Sequence, residues 1–165
     1  MPRSNKNKRK KPIVVAVSGG MDPLHIGHVR LFQEAKKLGD KLIVILNNDN
    51  WLRAKKGYVF MPERERKEIL EALTDVDEVI LTGHSKNPKD MSVCKELLKI
   101  RPNIFANGGD RQQGNLPVPE VETCRVINCK MVFNIGKGGK IQSSSRLSEN
   151  VLRYLKNKKR GNLPR

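Results

Sequence analysis

Ile13-Val14-Val15-Ala16-Val17-Ser18-Gly19-Gly20-Met21-Asp22-Pro23-Leu24-His25-Ile26-Gly27-His28 passes from an apolar, β-type run through a glycine turn to two histidines three residues apart. Apolar residues then recur at Val29, Leu31, Phe32, Ala35 and Leu38, the period of a helix that starts near Ile26. A strand turning into a helix leaves unpaired N–H groups and the positive end of the helix dipole at the turn, which together form an anion site. Residues at i and i+3 share one helix face, so both imidazoles can address one phosphate while Gly27 keeps that face low. The stretch suits a nucleoside triphosphate.

Working outward, five apolar runs alternate with helical patterns. The strands are expected at Ile13–Val17, Lys41–Leu46, Glu78–Leu81, Asn103–Ala106 and Met131–Asn134. The helices are expected at Ile26–Leu38, Pro62–Leu73, Pro88–Ile100, Pro119–Val126 and Ser144–Leu155, three of them opened by proline. Such alternation predicts an α/β fold, Rossmann-like, with an open parallel five-stranded sheet and helices on both faces. Ligands of such sheets bind beyond the strand C-termini at the topological switch point, where the loops after the strands converge.

Composition narrows the class. The net charge is +16, yet residues 1–12 hold six basic side chains and no acid, and residues 153–165 hold six more and no acid. Residues 13–152 therefore carry 21 bases against 17 acids, a mildly basic body between two basic arms. Such arms read as solvated segments able to hold polyanions through a salt-sensitive phosphate interaction. No apolar run approaches the ~18 residues of a membrane span, and the basic start is not followed by an apolar stretch of signal-peptide length, so a cytoplasmic protein is expected. Cys94, Cys124 and Cys129 are odd in number and lack metal-ligand spacing, as expected of reduced thiols.

The first motif, Gly20-x-Asp22-x-x-His25-x-Gly27-His28, resembles the signature of the HxGH nucleotidyltransferases, the cytidylyltransferase-like superfamily, with Met21 where phenylalanine is usual. Methionine can fill the same apolar pocket. Leu38-Gly39-Asp40-Lys41-Leu42-Ile43-Val44 resembles a stretch of the glycerol-3-phosphate cytidylyltransferase and heptose-phosphate adenylyltransferase branch. Gly39 is expected there as a left-handed helix cap. Arg53, Lys55 and Lys56 form a basic cluster in the loop after the second strand, and Arg66 follows in the next helix. The resemblance matches Arg53 and Lys55 to a lysine pair and Arg66 to an arginine that hold triphosphate and substrate phosphate, with Lys56 beside them.

Asn107-Gly108-Gly109-Asp110-Arg111 resembles the family's G-G-D loop, in which Gly109 lets the backbone approach the ligand and Asp110 accepts from ribose or base. Gln142-Ser143-Ser144-Ser145-Arg146-Leu147 resembles the serine/threonine motif that closes the site, with Ser143 and Ser144 as phosphate donors. The family's late arginine is missing, and Lys137 and Lys140 are the cations available in its place.

The resemblance implies one nucleotidyltransferase domain at 13–155 between a basic arm (1–12) and a basic tail (156–165). It implies transfer of CMP or AMP from CTP or ATP to a sugar phosphate or glycerol phosphate, with release of pyrophosphate. Mg²⁺ would accompany the triphosphate, with Asp22 and Asp110 as possible ligands, and members of the family are often homodimers. Pro23 also occurs in coenzyme-forming adenylyltransferases, which keeps a pantetheine- or nicotinamide-type acceptor open. The alternative from another class is a non-catalytic nucleotide- or RNA-binding protein on the same scaffold, separated from the enzyme by pyrophosphate release.

Overall fold

The computed structural model describes residues 10–108, 118–136 and 142–159. In chain order these form β1 (Val14–Gly19), α1 (Ile26–Lys36), β2 (Lys41–Leu46), α2 (Asp49–Lys56), α3 (Glu63–Glu71), β3 (Glu78–Leu81), α4 (Cys94–Ile100), β4 (Ile104–Gly108), α5 (Val118–Val126), β5 (Lys130–Ile135) and α6 (Ser144–Lys159). All strand pairs are parallel and the sheet order is β3-β2-β1-β4-β5. Strand order reverses between β1 and β4, so the switch-point crevice lies beyond Gly19 and Gly108.

Side-chain alternation along the strands separates two apolar layers. Val15, Val17, Leu42, Val44 and Leu46 pack with Phe32 and Ala35 of α1 and Leu70 of α3. Ala16, Ile45 and Phe105 pack on the other face with Leu97 of α4 and Cys124 of α5. The sheet is thus covered on both sides, as its apolar strands require. Cys94, Cys124 and Cys129 are free thiols. Among the described residues no helix is long and apolar enough to cross a membrane.

Four local expectations are corrected. The Asn48–Lys56 segment, expected as a loop, contains a helix because the Asn48 side chain caps it by accepting from Trp51 N at 3.0 Å. Gly57, at φ 82°, ends it in the left-handed conformation. The helix expected from Pro88 begins only at Cys94, because the preceding backbone is held elsewhere. Ser92 N donates to Asp90 Oδ1, Met91 O accepts from the Trp51 indole, and Ser92 O lies 3.1 Å from His84 Nε2.

Gly39 is the third case. Helix α1 stops at Lys36 with a right-handed cap at Lys37, and Gly39 is not among the residues at positive φ. Its glycine is demanded by space: a Cβ there would lie 2.6 Å from Ile13 O and 2.8 Å from Val15 Cγ2. The last helix runs four residues past its expected end at Leu155, to Lys159.

Gly39→Ala is expected to destabilise the domain by about 1 to 3 kcal/mol through this clash. Urea denaturation measures it, and an unchanged midpoint would contradict the packing described.

Candidate functional site

His25 is the N-cap of α1, and its ring does the capping. Gly27 N donates to His25 Nδ1 at 3.1 Å, while His25 N donates to His28 Nδ1 at 3.3 Å, a reciprocal capping box built from two imidazoles. The rings stack with centroids 3.7 Å apart and planes 21° from parallel. A Cβ on Gly27 would lie 3.0 Å from His25 Cε1, so the glycine makes room for the ring.

An Nδ1 that accepts a hydrogen bond carries no proton, so the network assigns the remaining proton of each neutral ring to Nε2. Both histidines then present an N–H donor on the edge away from the backbone. Burial holds the His28 pKa down at about 3, with the neighbouring His25 and Lys56 pushing the same way. His25 is also lowered, by burial first and by Lys56, against the opposing effect of its backbone hydrogen bond. His28 is therefore a neutral donor near pH 7.

Lys56 reaches these rings from the end of α2. Its Nζ donates to Asp22 O at 2.7 Å, and burial lowers its pKa against the opposing pull of Asp22, with Arg66 adding to the lowering. Arg53 and Lys55 are exposed, and Arg53 lies 3.8 Å from Asp49 Oδ2. Of the basic cluster, Lys56 is the member brought to the histidines. A sequence signal existed for this: Leu52 and Lys56 are four apart, so a helix that buries Leu52 turns Lys56 to the same side.

Arg66 and Asp22 are both fully enclosed. Arg66 is 1 % exposed; its Nε donates to Met61 O, its Nη1 to Gly20 O and Asn47 O, and its Nη2 to Asp49 Oδ1 at 2.7 Å. The guanidinium thus spends its donors on the loops that shape the site. Asp22, 0 % exposed, accepts from Met61 N at 2.6 Å on Oδ1 and from Phe60 N at 2.9 Å on Oδ2. Its carboxylate is a fastener for the segment after α2. Gly20 allows α2 to approach, since a Cβ would lie 2.8 Å from Leu52 Cδ2. Met21 is buried in the first core layer at φ 49°.

The start of α6 closes over this turn. Ser144 Oγ donates to Pro23 O at 3.0 Å, and Gln142 O is the backbone neighbour of the Gly27 Cβ position. Ser143 Oγ accepts from Arg146 N at 3.2 Å as the helix cap, which leaves its own hydroxyl proton to donate. Ser144 has given its proton to a carbonyl. Two helix N-termini, from α1 and α6, therefore meet beside the histidine pair, a strongly anion-selective arrangement. Gly109, Asp110, Lys137 and Lys140 lie outside the described residues. Among the described residues no group of three or more His, Cys, Asp or Glu side chains is assembled to hold a metal ion. Asp22, with both oxygens on backbone amides, does not fit a Mg²⁺ ligand.

Residues 16–115 match the cytidylyltransferase-like family. The chain belongs to that family of nucleotidyltransferases. An FAD synthase from Ferroglobus placidus is 39 % identical over 97 residues, 59 % of this chain and 59 % of that protein's length. The bifunctional protein HldE of Syntrophotalea carbinolica is 38 % identical over 106 residues, 62 % of this chain and 20 % of that protein. Among solved structures, a lipopolysaccharide core biosynthesis protein from Thermoplasma volcanium aligns with a TM-score of 0.63 and 28 % identity, covering 78 % of this chain and all of that one. Family membership and the parallel sheet agree with the Gly20–His28 motif that follows β1.

A histidine whose native pKa lies below its unfolded value near 6.5 stabilises the fold most above that value. The contribution is lost as pH falls from about 6.5 toward 3, where the native ring also takes a proton. Between pH 7 and 4.5 the unmutated chain should lose on the order of 2 kcal/mol more stability than a His28→Gln variant. Equal losses in the two denaturation series would show that His28 is not held neutral.

Proposed function

We propose that the chain transfers the adenylyl group of ATP to a phosphate monoester and releases pyrophosphate, with CTP as the other nucleotide the family makes available. The observation that carries this reading is the pair of neutral imidazole N–H donors set where two helix N-termini converge beside a half-buried lysine. The likeness to FAD synthases supports ATP as donor and FMN as the first acceptor to examine. The likeness to HldE and to a lipopolysaccharide core biosynthesis protein supports a sugar phosphate as the second.

In the reaction an oxygen of the acceptor phosphate attacks the α-phosphorus, a new P–O bond forms, and the bond to the β-phosphate oxygen breaks. The electron pair leaves with pyrophosphate. A phosphate monoester is already largely dianionic near neutral pH, because its second pKa is about 6, so the attack needs no general base. Neither histidine is arranged as one, since each Nδ1 lone pair is committed to a backbone N–H. The Nε2–H groups of His25 and His28 instead hold charge on the α- and β-phosphoryl oxygens, and Lys56 supplies a full positive charge beside them. Ser143 donates from the α6 start, while Arg66 and Asp22 position the loops. Mg²⁺ would accompany the triphosphate as its counter-ion and would help neutralise the charge on its phosphates. Arg53 and Lys55, on the exposed side of α2, meet the substrate phosphates only at the rim.

Pyrophosphate release with ATP or CTP against FMN, heptose 1-phosphate and glycerol 3-phosphate tests the reading. His28→Ala should lower turnover by about 10² to 10³, the cost of one preorganised donor. Lys56→Ala should lower it by about tenfold or more, and Lys55→Ala by less than about threefold. A His28→Ala variant as fast as the unmutated chain would overturn the assignment, and nucleotide or RNA binding without any pyrophosphate would favour the non-catalytic alternative.

A further inference from the structure

The crevice has a second wall whose chemistry the phosphate groups do not use. Ala16, Ile45 and Phe105 belong to the layer covered by α4 and α5, and two residues further along each strand stand Ser18, Asn47 and Asn107. Because side chains alternate with period two, these three continue the same face, which changes from apolar to polar within one pleat at the C-terminal edge. Ala16 is opposite Phe105, so Ser18 and Asn107 flank the β1/β4 switch point, and Asn47 follows on β2. The histidines stand on α1, whose core residues Phe32 and Ala35 pack on the other face.

Asn47 is 4 % exposed and its backbone is fixed on both sides: its N–H donates to Gly19 O at 2.9 Å and its carbonyl accepts from Arg66 Nη1 at 2.8 Å. Its side-chain Oδ1 is buried and has no hydrogen-bond partner. An acceptor left in this state is costly and rare in native structures, so it calls for a partner or a functional role. Acceptor oxygens of this kind take a hydroxyl or an N–H and repel an anion.

We propose that Asn47 determines acceptor specificity, its Oδ1 receiving a hydrogen bond from a neutral hydroxyl or ring N–H of the acceptor on the side of the crevice away from the histidines. The inference rests on the nucleotidyl-transfer reading above. It divides recognition between two walls: the acceptor's phosphate goes to His25, His28 and Lys56, and its neutral donor-bearing part goes to Asn47. A flavin-type acceptor, with its ring N–H and chain hydroxyls, and a sugar phosphate, with hydroxyls alone, are the two sources of that donor, and the acceptors tested below separate these two classes.

Asn47→Leu removes the oxygen at similar volume, and Asn47→Ala removes it with less bulk should leucine fail to fold. ATP binding by calorimetry and steady-state kinetics with FMN, heptose 1-phosphate and glycerol 3-phosphate are compared with the unmutated chain. The expected result is unchanged ATP affinity, a melting temperature of Asn47→Leu no lower than that of the unmutated chain, and a KM for the accepted acceptor raised about tenfold, with kcat changed less than about threefold. A rise with FMN assigns the donor to a ring N–H or ribityl hydroxyl, and a rise with heptose 1-phosphate to a sugar hydroxyl. Turnover with acceptor KM unchanged in both variants, or a parallel loss of ATP affinity, overturns the role of Asn47 while leaving the transfer reading intact. Absence of turnover by the unmutated chain with every acceptor overturns the transfer reading, and this inference falls with it.

Discussion

The buried guanidinium of Arg66 is the constraint on which the site's architecture depends. It ties the glycine turn after β1 through Gly20 O, the end of β2 through Asn47 O, the segment after α2 through Met61 O, and α2 itself through Asp49. A buried charge is tolerated when its donors are hydrogen-bonded and an opposite charge is near; here Nε, Nη1 and Nη2 all donate, and Asp49 Oδ1 lies at 2.7 Å. Breaking such a pair from one side typically costs about 3 to 5 kcal/mol, because the other charge is stranded. The arrangement therefore fixes the distance between the turn that presents the histidines and the helix that presents Lys56. Asp22 reinforces it by fastening Phe60 N and Met61 N to the same turn.

Held on that frame, the histidine pair performs two tasks with separate nitrogens. The Nδ1 atoms satisfy orphan N–H groups at the start of α1, as a serine or aspartate cap would, and the Nε2 atoms carry the protons. Capping by a ring, and not by a short side chain, is what turns a helix terminus into a directed donor pair. Burial and the nearby Lys56 keep His28 neutral, so the positive charge of the site resides on the lysine and the helix dipoles. Electrostatic stabilisation of this preorganised kind needs no proton movement from the protein.

Much of the fold was legible in the sequence, since all five strands fall within two residues of where apolar, β-branched runs place them. The parallel order and two-sided cover follow from the alternation with helical periods. What escaped depended on contacts distant in sequence: α2 is a short helix whose strongest cue, Asn48, is a single cap, and the start of α4 is displaced by hydrogen bonds to Trp51 and His84. Gly39 was recognisable as a required glycine, but steric crowding from Ile13 looks in sequence like a left-handed turn. In the site, the histidine spacing and the serine motif were readable. The structure brings Lys56 to the histidines, leaves Lys55 exposed and encloses Arg66 among backbone carbonyls and Asp49, because burial and not residue type decides where each cation stands. Nothing in the sequence marks Asn47, whose character comes from an unpartnered atom.

Everything in the site follows from both histidines of the pair being neutral and carrying their protons on Nε2. Long-range ¹H–¹⁵N NMR of the imidazole nitrogens in the ligand-free protein at pH 7 reads this directly. An unprotonated Nδ1 and a protonated Nε2 are expected for both His25 and His28, with His28 keeping this form well below pH 6. Protonation of Nδ1 in either ring, as the other tautomer or as imidazolium, would contradict it.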